Sequence, residues 1–208
     1  MRTTIYVDGF NFYYRALKGT PHKWLNLDTL FHLLLRPPHA ITAIKYFTAR
    51  VSARPNDPGQ PVRQDMYLRA LRTVPTISII FGTFLTNTIR MRLAHPPVGS
   101  SPYVEVVKTE EKGSDVNLAT HLVHDAHKGF FDTAVVVTND SDLCEPIRIV
   151  RDELGLPVGI LYPDKSLSRQ LQRYASFVRP IRQGVLAQSQ FPDELTDNVG
   201  TFHKPTSW

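Results

Sequence analysis

VVVTNDSDL, residues 135–143, joins an apolar run to two aspartates that are separated by a single serine. A β-branched run that stops at Asn139 has the composition of a buried strand. An amphipathic helix is predicted to follow, with its apolar stripe at Leu143, Ile147, Val150 and Leu154. Strand followed by helix is the repeating unit of a parallel sheet. The carboxyl ends of such strands carry the working groups, so Asp140 and Asp142 mark a candidate site.

The rest of the chain alternates in the same way. Strands are predicted at residues 3–7, 40–49, 76–84, 133–138, 157–162 and 177–181. Helices are predicted at residues 10–19, 27–35, 61–73, 114–127, 143–154 and 166–175. The pattern predicts an α/β fold, a three-layer α/β/α sandwich with a mainly parallel central sheet.

Two local predictions accompany this assignment. The arm of residues 85–102 contains Pro96-Pro97 and is predicted to be irregular, followed by a short edge strand at residues 103–107. In the helix of residues 114–127, the core-facing stripe is predicted at Val116, Ala119, Val123 and Ala126.

Composition favours a single globular domain in the cytoplasm. The chain has 208 residues, of which 42% are hydrophobic and 21% charged. No apolar run approaches the roughly 18 residues that span a bilayer, and the first ten residues do not read as a signal peptide. Cys144 is the only cysteine, which excludes an internal disulfide and suits a reducing compartment.

The positive charge is concentrated in one stretch. Residues 41–95 contain eight of the 24 Lys and Arg residues and only two of the 19 acidic ones, which leaves 16 basic and 17 acidic residues elsewhere. Such a stretch is expected on a surface that meets a polyanion, although a solvated arginine face remains an alternative. The candidate nucleic-acid-binding residues, all predicted in or beside loops, are Arg50, Arg54, Arg63, Arg90 and Arg92.

Four carboxylates are predicted to meet at one edge of the sheet. Asp8 ends the first strand, Asp140 and Asp142 follow a later one, and Asp115 lies in the first turn of a helix. Each alone has an ordinary structural explanation as a helix cap or turn residue. Four together repel one another, and a divalent cation with oxygen ligands, Mg²⁺ or Mn²⁺, relieves that repulsion. We expect their oxygens to converge within a few ångström.

Other chemistries are less well supported. Neither a GxGxxG nor a GxxxxGK[ST] motif is present, so dinucleotide and P-loop binding are not indicated. Cys144 belongs to an apolar helical region and is assigned to the core. His121, His124 and Asp125 have helical spacing and are a minor candidate for zinc.

Three stretches resemble a known family, in the family's order: IYVDGFNFYYRALKG, KTEEKGSDVNLATHLVHDA and DTAVVVTNDSDLCEPIRIVRDELG. They are similar to the NYN domain, a branch of the PIN-like nucleases, particularly its bacterial LabA-like members. The resemblance assigns residues 1–182 to a PIN-like domain. Residues 183–208 lie beyond it as a tail that packs on the domain or on a partner subunit, and a homodimer is one arrangement.

The resemblance implies a metal-dependent ribonuclease site. Asp8 and Asn11 match the DGxN motif, Asp115 matches KGxD, and Asp140 and Asp142 match NDSD. The implied roles are Mg²⁺ or Mn²⁺ ligands for the four aspartates, and orientation of a water or phosphate oxygen for Asn11.

Two further residues and two functions stay open. Lys112 either contacts a phosphate or balances Asp115 and Glu111, and Ser141 is placed to donate a hydrogen bond to a ligand oxygen. The expected function is an endoribonuclease acting on single-stranded RNA, with DNA not excluded. The alternative is an RNA-binding or regulatory protein whose acidic site is idle.

Overall fold

The computed structural model describes all 208 residues. Six parallel strands form the central sheet, in the order β3-β2-β1-β6-β7-β8. Their bounds are β1 Arg2–Asp8, β2 Ala40–Thr48, β3 Ile77–Phe81, β6 Thr133–Val137, β7 Val158–Tyr162 and β8 Phe177–Pro180. Two antiparallel hairpins stand outside this sheet, one of β4 (Thr83–Arg92) and β5 (Tyr103–Lys112), the other of β9 (Glu194–Asp197) and β10 (Gly200–His203).

Seven helical segments accompany the strands. α1 begins as an α-helix at Gly9–Phe12 and continues as a π-helix at Tyr13–Leu17. α5 has three parts, a 3₁₀ turn at Ser141–Leu143, an α-helix at Cys144–Arg148 and a π-helix at Ile149–Glu153. The others are α2 Leu27–Leu34, α3 Gln60–Arg72, α4 Ser114–His127, α6 Arg169–Tyr174 and α7 Gln183–Gln188.

Side chains alternate across the sheet and build a core on each face. Ile5 and Val7 of β1 join a cluster that includes residues of α1, α2, α3 and α7, whereas Tyr6 joins a second cluster with α4, α5 and α6. The predicted three-layer α/β/α sandwich is therefore confirmed. No helix is long and apolar enough to cross a membrane.

The arm of residues 85–102 was predicted wrongly as irregular. Residues 83–92 and 103–112 pair in register over ten positions, from Thr83 opposite Lys112 to Arg92 opposite Tyr103. The short edge strand predicted at residues 103–107 is the first half of β5, and it pairs with β4 rather than with the main sheet. The β-branched residues threonine, valine and isoleucine support this ladder, and the prolines are confined to the loop between the strands.

The predicted stripe of α4 was also partly wrong. Val116 is 67% exposed, and the buried apolar face is formed by Leu118, Leu122 and Ala126. Asp125 is buried on the same face because it accepts hydrogen bonds from Tyr6 and Lys45. This network replaces an apolar contact, which a pattern of hydrophobic residues does not predict.

Residues 183–208 pack on the domain. Phe191 and Phe202 are buried in the same cluster as Trp24, and Leu195 and Trp208 pack against its edge. Arg69 of α3 donates two hydrogen bonds to the Asp197 carboxylate and one to the Gly200 carbonyl, which fixes the second hairpin.

Candidate active site

The structure places most of the predicted acidic set in one pocket at the carboxyl ends of the parallel strands. The pocket has a volume of about 360 Å³. Asp8, Asn11, Asp115 and Asp140 line it together. Asp142 is exposed and does not line the pocket, although its backbone N–H donates a 3.0 Å hydrogen bond to the Asp140 carboxylate.

Asp8 is held by the fold at the junction of β1 and α1. One carboxylate oxygen accepts a 3.0 Å hydrogen bond from the Asn11 N–H and caps the helix. The other oxygen accepts a 3.1 Å hydrogen bond from the Thr138 hydroxyl. Only 4% of the residue is exposed, so Asp8 is an acid fixed in place at the bottom of the pocket.

Asn11 connects the two strand ends. Its side-chain oxygen accepts a 3.0 Å hydrogen bond from the Asn139 N–H, in the segment that follows β6. The Asn139 side chain in turn donates to Asp164 and to the Ser166 carbonyl. Asn11 therefore fixes the loop that carries Asp140. This structural role is additional to the one that the family resemblance implies, which is to orient a water or phosphate oxygen.

Asp115 reaches the pocket because the chain turns sharply before α4. Gly113 has a φ of +95°, a left-handed conformation that favours glycine. Glu111 accepts hydrogen bonds from the Ser114 N–H and hydroxyl, at 3.0 and 2.7 Å, and so occupies the start of the helix. Asp115 therefore does not cap the helix, and it lies half-buried in the first turn.

Burial and neighbouring carboxylates raise the pKa of two of these acids, Asp8 and Asp115. Burial raises the pKa of Asp8 to about 7 and outweighs the hydrogen bonds from Asn11 and Thr138, which lower it; the charges of Asp115 and Asp140 raise it further. The pKa of Asp115 is raised as well, first by burial and then by Asp140, Glu111 and Asp142. The pocket thus concentrates negative charge in a partly desolvated space, as a cation site requires.

A divalent cation fits the chemistry of these donors, although not as a closed cage. No group of three or more Asp, Glu, His or Cys side chains is close enough together to hold one ion, so the predicted convergence within a few ångström is wrong for this structure. The Asp8 carboxylate is bound to the Asn11 N–H and the Thr138 hydroxyl, which fix its position. Mg²⁺ commonly keeps several waters and takes only one or two carboxylates, which such an open oxygen-lined pocket provides.

The predicted basic residues are dispersed. Only Arg54 lines the acidic pocket. Arg50 forms an ion pair with Asp65, and Arg63, which lies in α3, donates to both oxygens of Asp57.

The other predicted cations lie on the first hairpin. Arg90 and Arg92 are in β4; Arg92 is its last residue and lies beside the loop that follows, as predicted, whereas Arg90 lies within the strand. Lys112 is exposed and forms its ion pair with Glu110, at 3.2 Å, rather than with Asp115 or Glu111.

Several pocket residues were not predicted. Arg15 and Glu111 bring charge to the pocket, and Phe10, Tyr14 and Phe84 bring aromatic rings. Phe10 and Phe84 contact edge to face with ring centroids 5.6 Å apart, so the base of the hairpin is fixed against α1. The positions of Phe10 and Tyr14, on either side of Asn11 in the sequence, could have indicated that both lie near the pocket. The location of Phe84 could not be predicted, because the pairing of β4 with β5 was not.

A small aromatic cavity adjoins the acidic pocket. It has a volume of about 70 Å³ and shares Phe10 and Tyr14 with the pocket. Its other lining residues lie mainly in α1, β2, α3 and the tail, and include Tyr13, Tyr46, Tyr67, Gln60 and Trp208.

The fold is a parallel α/β/α sandwich with carboxylates at the ends of β1 and β6. PIN-like nucleases belong to the class of α/β proteins that have such an acidic site. The model of the NYN domain family matches residues 2–181. The chain belongs to this family, within the PIN-like nuclease superfamily.

Two known proteins are similar to the chain. The 6-hydroxy-3-succinoylpyridine 3-monooxygenase HspA of Pseudomonas putida (strain DSM 28022 / S16) is 34% identical over 236 aligned positions, which cover all of this chain and 75% of that protein. A protein of unknown function, VPA0982 from Vibrio parahaemolyticus RIMD 2210633, has a crystal structure with a TM-score of 0.58 and 15% identity. That match covers 88% of this chain and 93% of the other, and it supports the fold alone.

Proposed function

We propose that this chain is a metal-dependent endoribonuclease that cuts single-stranded RNA. The observation that carries the proposal is the shared pocket of Asp8, Asn11, Asp115 and Asp140 at the carboxyl edge of the sheet. A binding protein gains nothing from acids that repel phosphate, whereas a hydrolase uses them to hold a cation. This reading agrees with membership of the NYN family.

One or two of the pocket carboxylates, Asp8, Asp115 and Asp140, would hold Mg²⁺ or Mn²⁺ together with waters, and Asp142 lies outside the pocket. The bound ion supplies an activated water and neutralises charge on the phosphodiester. Asp8 is positioned rigidly by Asn11 and Thr138, so its oxygens do not reorganise when substrate arrives. Arg54, on the rim of the pocket, is placed to bind a phosphate next to the scissile bond.

The first hairpin offers a path for the rest of the strand. Side chains alternate along β4, so Arg90 and Arg92 lie on the same face as Phe84, which lines the pocket. That face is mostly polar, with the hydroxyls of Thr86 and Thr109 3.0 Å apart across the ladder. Six to eight strand residues separate Phe84 from the arginines, which corresponds to about 20–27 Å. RNA that leaves the pocket along this face meets cations at its far end.

Cleavage of labelled single-stranded RNA tests the proposal directly. Purified protein is incubated with the RNA in Mg²⁺, in Mn²⁺ and in chelator, with Asp140→Asn as the matched inactive variant and a DNA oligonucleotide of the same sequence in parallel. We expect cuts within the RNA only when a divalent ion and Asp140 are both present. Cleavage that persists in chelator, or that is equal in the variant, contradicts it, and binding without any cleavage favours the regulatory alternative.

A second candidate function is supported by one relative and one cavity. HspA is named for oxygenating a substituted pyridine, and the alignment with it covers this entire chain. The aromatic cavity beside the pocket has the size and lining of a site for one planar ring. A monooxygenase places one atom of O₂ in its substrate and reduces the other to water with two electrons from a donor.

The second candidate is tested by oxygen consumption. The protein is supplied with 6-hydroxy-3-succinoylpyridine, O₂ and a reduced nicotinamide, and both O₂ uptake and loss of the nicotinamide are followed. Equal and substrate-dependent consumption of the two would support an oxygenase. No uptake above the protein-free control removes this candidate and leaves the nuclease.

A further inference from the structure

The aromatic cavity is built by four separate parts of the chain. α1 contributes Tyr13, β2 contributes Tyr46, α3 contributes Tyr67, and the tail contributes Trp208. The ring centroids of Tyr46 and Tyr67 are 6.3 Å apart, and those of Tyr67 and Trp208 are 5.9 Å apart. Such edge-to-face contacts fix the walls, so the cavity belongs to the folded protein rather than to a loose surface.

The size of the cavity selects a small ligand. Its volume is about 70 Å³, several times the roughly 10–15 Å³ that one water needs. The space is therefore suited to one small planar ring. A two-ring base is too large unless the walls move.

The cavity and the acidic pocket are directly connected. Asp8 lines the pocket and the next residue, Gly9, lines the cavity. A side chain at Gly9 has no room, because a Cβ there would lie 2.7 Å from a ring carbon of Tyr46. The glycine thus lets the tyrosine ring approach the strand end that carries Asp8, so a ring in the cavity lies one residue away from the proposed reaction centre.

Polar groups with free bonding capacity line the same space. The side chains of Gln60, Tyr13 and Lys23 line the cavity and make no hydrogen bond or ion pair within the protein. Gln64 differs, because its amide donates to the Ala49 carbonyl and accepts from the Val51 N–H. The Gln60 amide alone provides both a donor and an acceptor, as the edge of a pyrimidine requires.

We propose that this cavity is a base-binding subsite that receives one pyrimidine of the RNA strand held at the acidic pocket. The proposal rests on the nuclease function and adds a specificity to it. The aromatic walls, including Tyr13, bind the faces of the ring, as in other single-strand sites, and Gln60 binds its edge. The enzyme consequently cuts next to uracil or cytosine in preference to adenine or guanine.

Binding of free nucleosides tests the subsite without any cleavage. Uridine, cytidine and adenosine are titrated into the protein in chelator by calorimetry, with tryptophan fluorescence as a second signal. We expect uridine and cytidine to bind at least tenfold more tightly than adenosine. Equal binding of all three, or no binding of the pyrimidines, overturns the proposal.

Two variants connect the binding to the cavity. Tyr13→Ala removes one aromatic wall and is expected to weaken uridine binding about tenfold, within the range measured for loss of a base–aromatic contact. Gln60→Leu keeps the volume and is expected to weaken it several-fold, while Gln172→Leu, at an exposed position of α6, is the matched control. Thermal unfolding establishes that each variant is folded. Wild-type affinity in a folded Gln60→Leu variant contradicts the assigned edge contact.

Cleavage patterns separate this proposal from the function on which it rests. One outcome is that uridine binds to the wild type, that this binding is lost in the variants, and that no RNA is cut with Mg²⁺ or Mn²⁺. In that case the nuclease function fails and a pyrimidine-binding site remains. If RNA is cut without regard to the neighbouring base, and Gln60→Leu gives the same products, the subsite fails and the nuclease function stands.

Discussion

Replacement of Asp8 by asparagine is expected to stabilise the protein at neutral and alkaline pH. Burial, with Asp115 and Asp140 nearby, raises the pKa of Asp8 from 3.8 to about 7. Between these two values the folded protein holds a proton that the unfolded chain has released. The contribution of Asp8 to stability is therefore greatest below pH 3.8 and is lost as the pH rises towards 7.

The magnitude follows from that shift. About three pKa units at 1.36 kcal/mol each correspond to a cost of about 4 kcal/mol when Asp8 is fully ionised. The side chain is buried, so solvent screens little of this cost. Asparagine removes the charge, and its amide can still accept from the Asn11 N–H and donate to the Thr138 hydroxyl. At about 2–4 °C per kcal/mol for a chain of this size, the melting temperature rises on the order of 10 °C.

Thermal unfolding from pH 4.5 to 8.5 in chelator measures the effect. The difference in melting temperature between Asp8→Asn and wild type is expected to be small at pH 4.5 and to grow to its full value at pH 8. Asp193→Asn, at a side chain that is 88% exposed, is the control and should change little at any pH. A difference that is constant with pH, or a less stable Asp8→Asn variant at pH 8, refutes the reasoning.

Three further experiments address the metal, the acids and the arginines. Mg²⁺ or Mn²⁺ at a hundred times its Kd should stabilise the wild type by about 2.7 kcal/mol in thermal unfolding and Asp8→Asn by less; an equal effect on both would remove Asp8 from the ligands. Asp115→Asn and Asp140→Asn should each retain RNA binding and the fold but lose about a hundredfold or more in cleavage rate, and wild-type rates would show that the site is wrongly assigned. Arg90→Ala combined with Arg92→Ala should weaken RNA binding, and lower the slope of log affinity against log salt by about 1.4, without abolishing cleavage at saturating RNA. An unchanged slope would show that neither arginine contacts the RNA.

The sequence by itself determined the layers and the edge of the sheet. Strands such as Ala134–Val137 are apolar on both faces, and the helices between them have one apolar face, so the parallel sandwich followed from periodicity alone. Asp8 ends β1 and Asp140 lies three residues after the end of β6, and these parallel neighbours end at the same edge. For that reason the common location of these acids could be predicted.

Only the tertiary structure decided what surrounds those acids. The hairpin of β4 and β5 depends on pairs more than ten residues apart in the chain, which local composition does not specify. It brings Phe84 and Glu111 to the pocket, and it moves Arg90 and Arg92 away along its length. The partners of Arg50 and Arg63 likewise depend on which acid lies nearby in space, not on their own position in a basic stretch.

The aromatic cavity is the clearest case of a feature that the sequence does not predict. Tyr13, Tyr46, Tyr67 and Trp208 are spread over nearly the whole chain, and each alone has the appearance of an ordinary core residue. Their convergence depends on how α1, α3 and the tail pack on one face of the sheet, and on the absence of a side chain at Gly9. Periodicity determines which face of an element is buried, but the shape of the space left between buried faces is decided by packing in three dimensions.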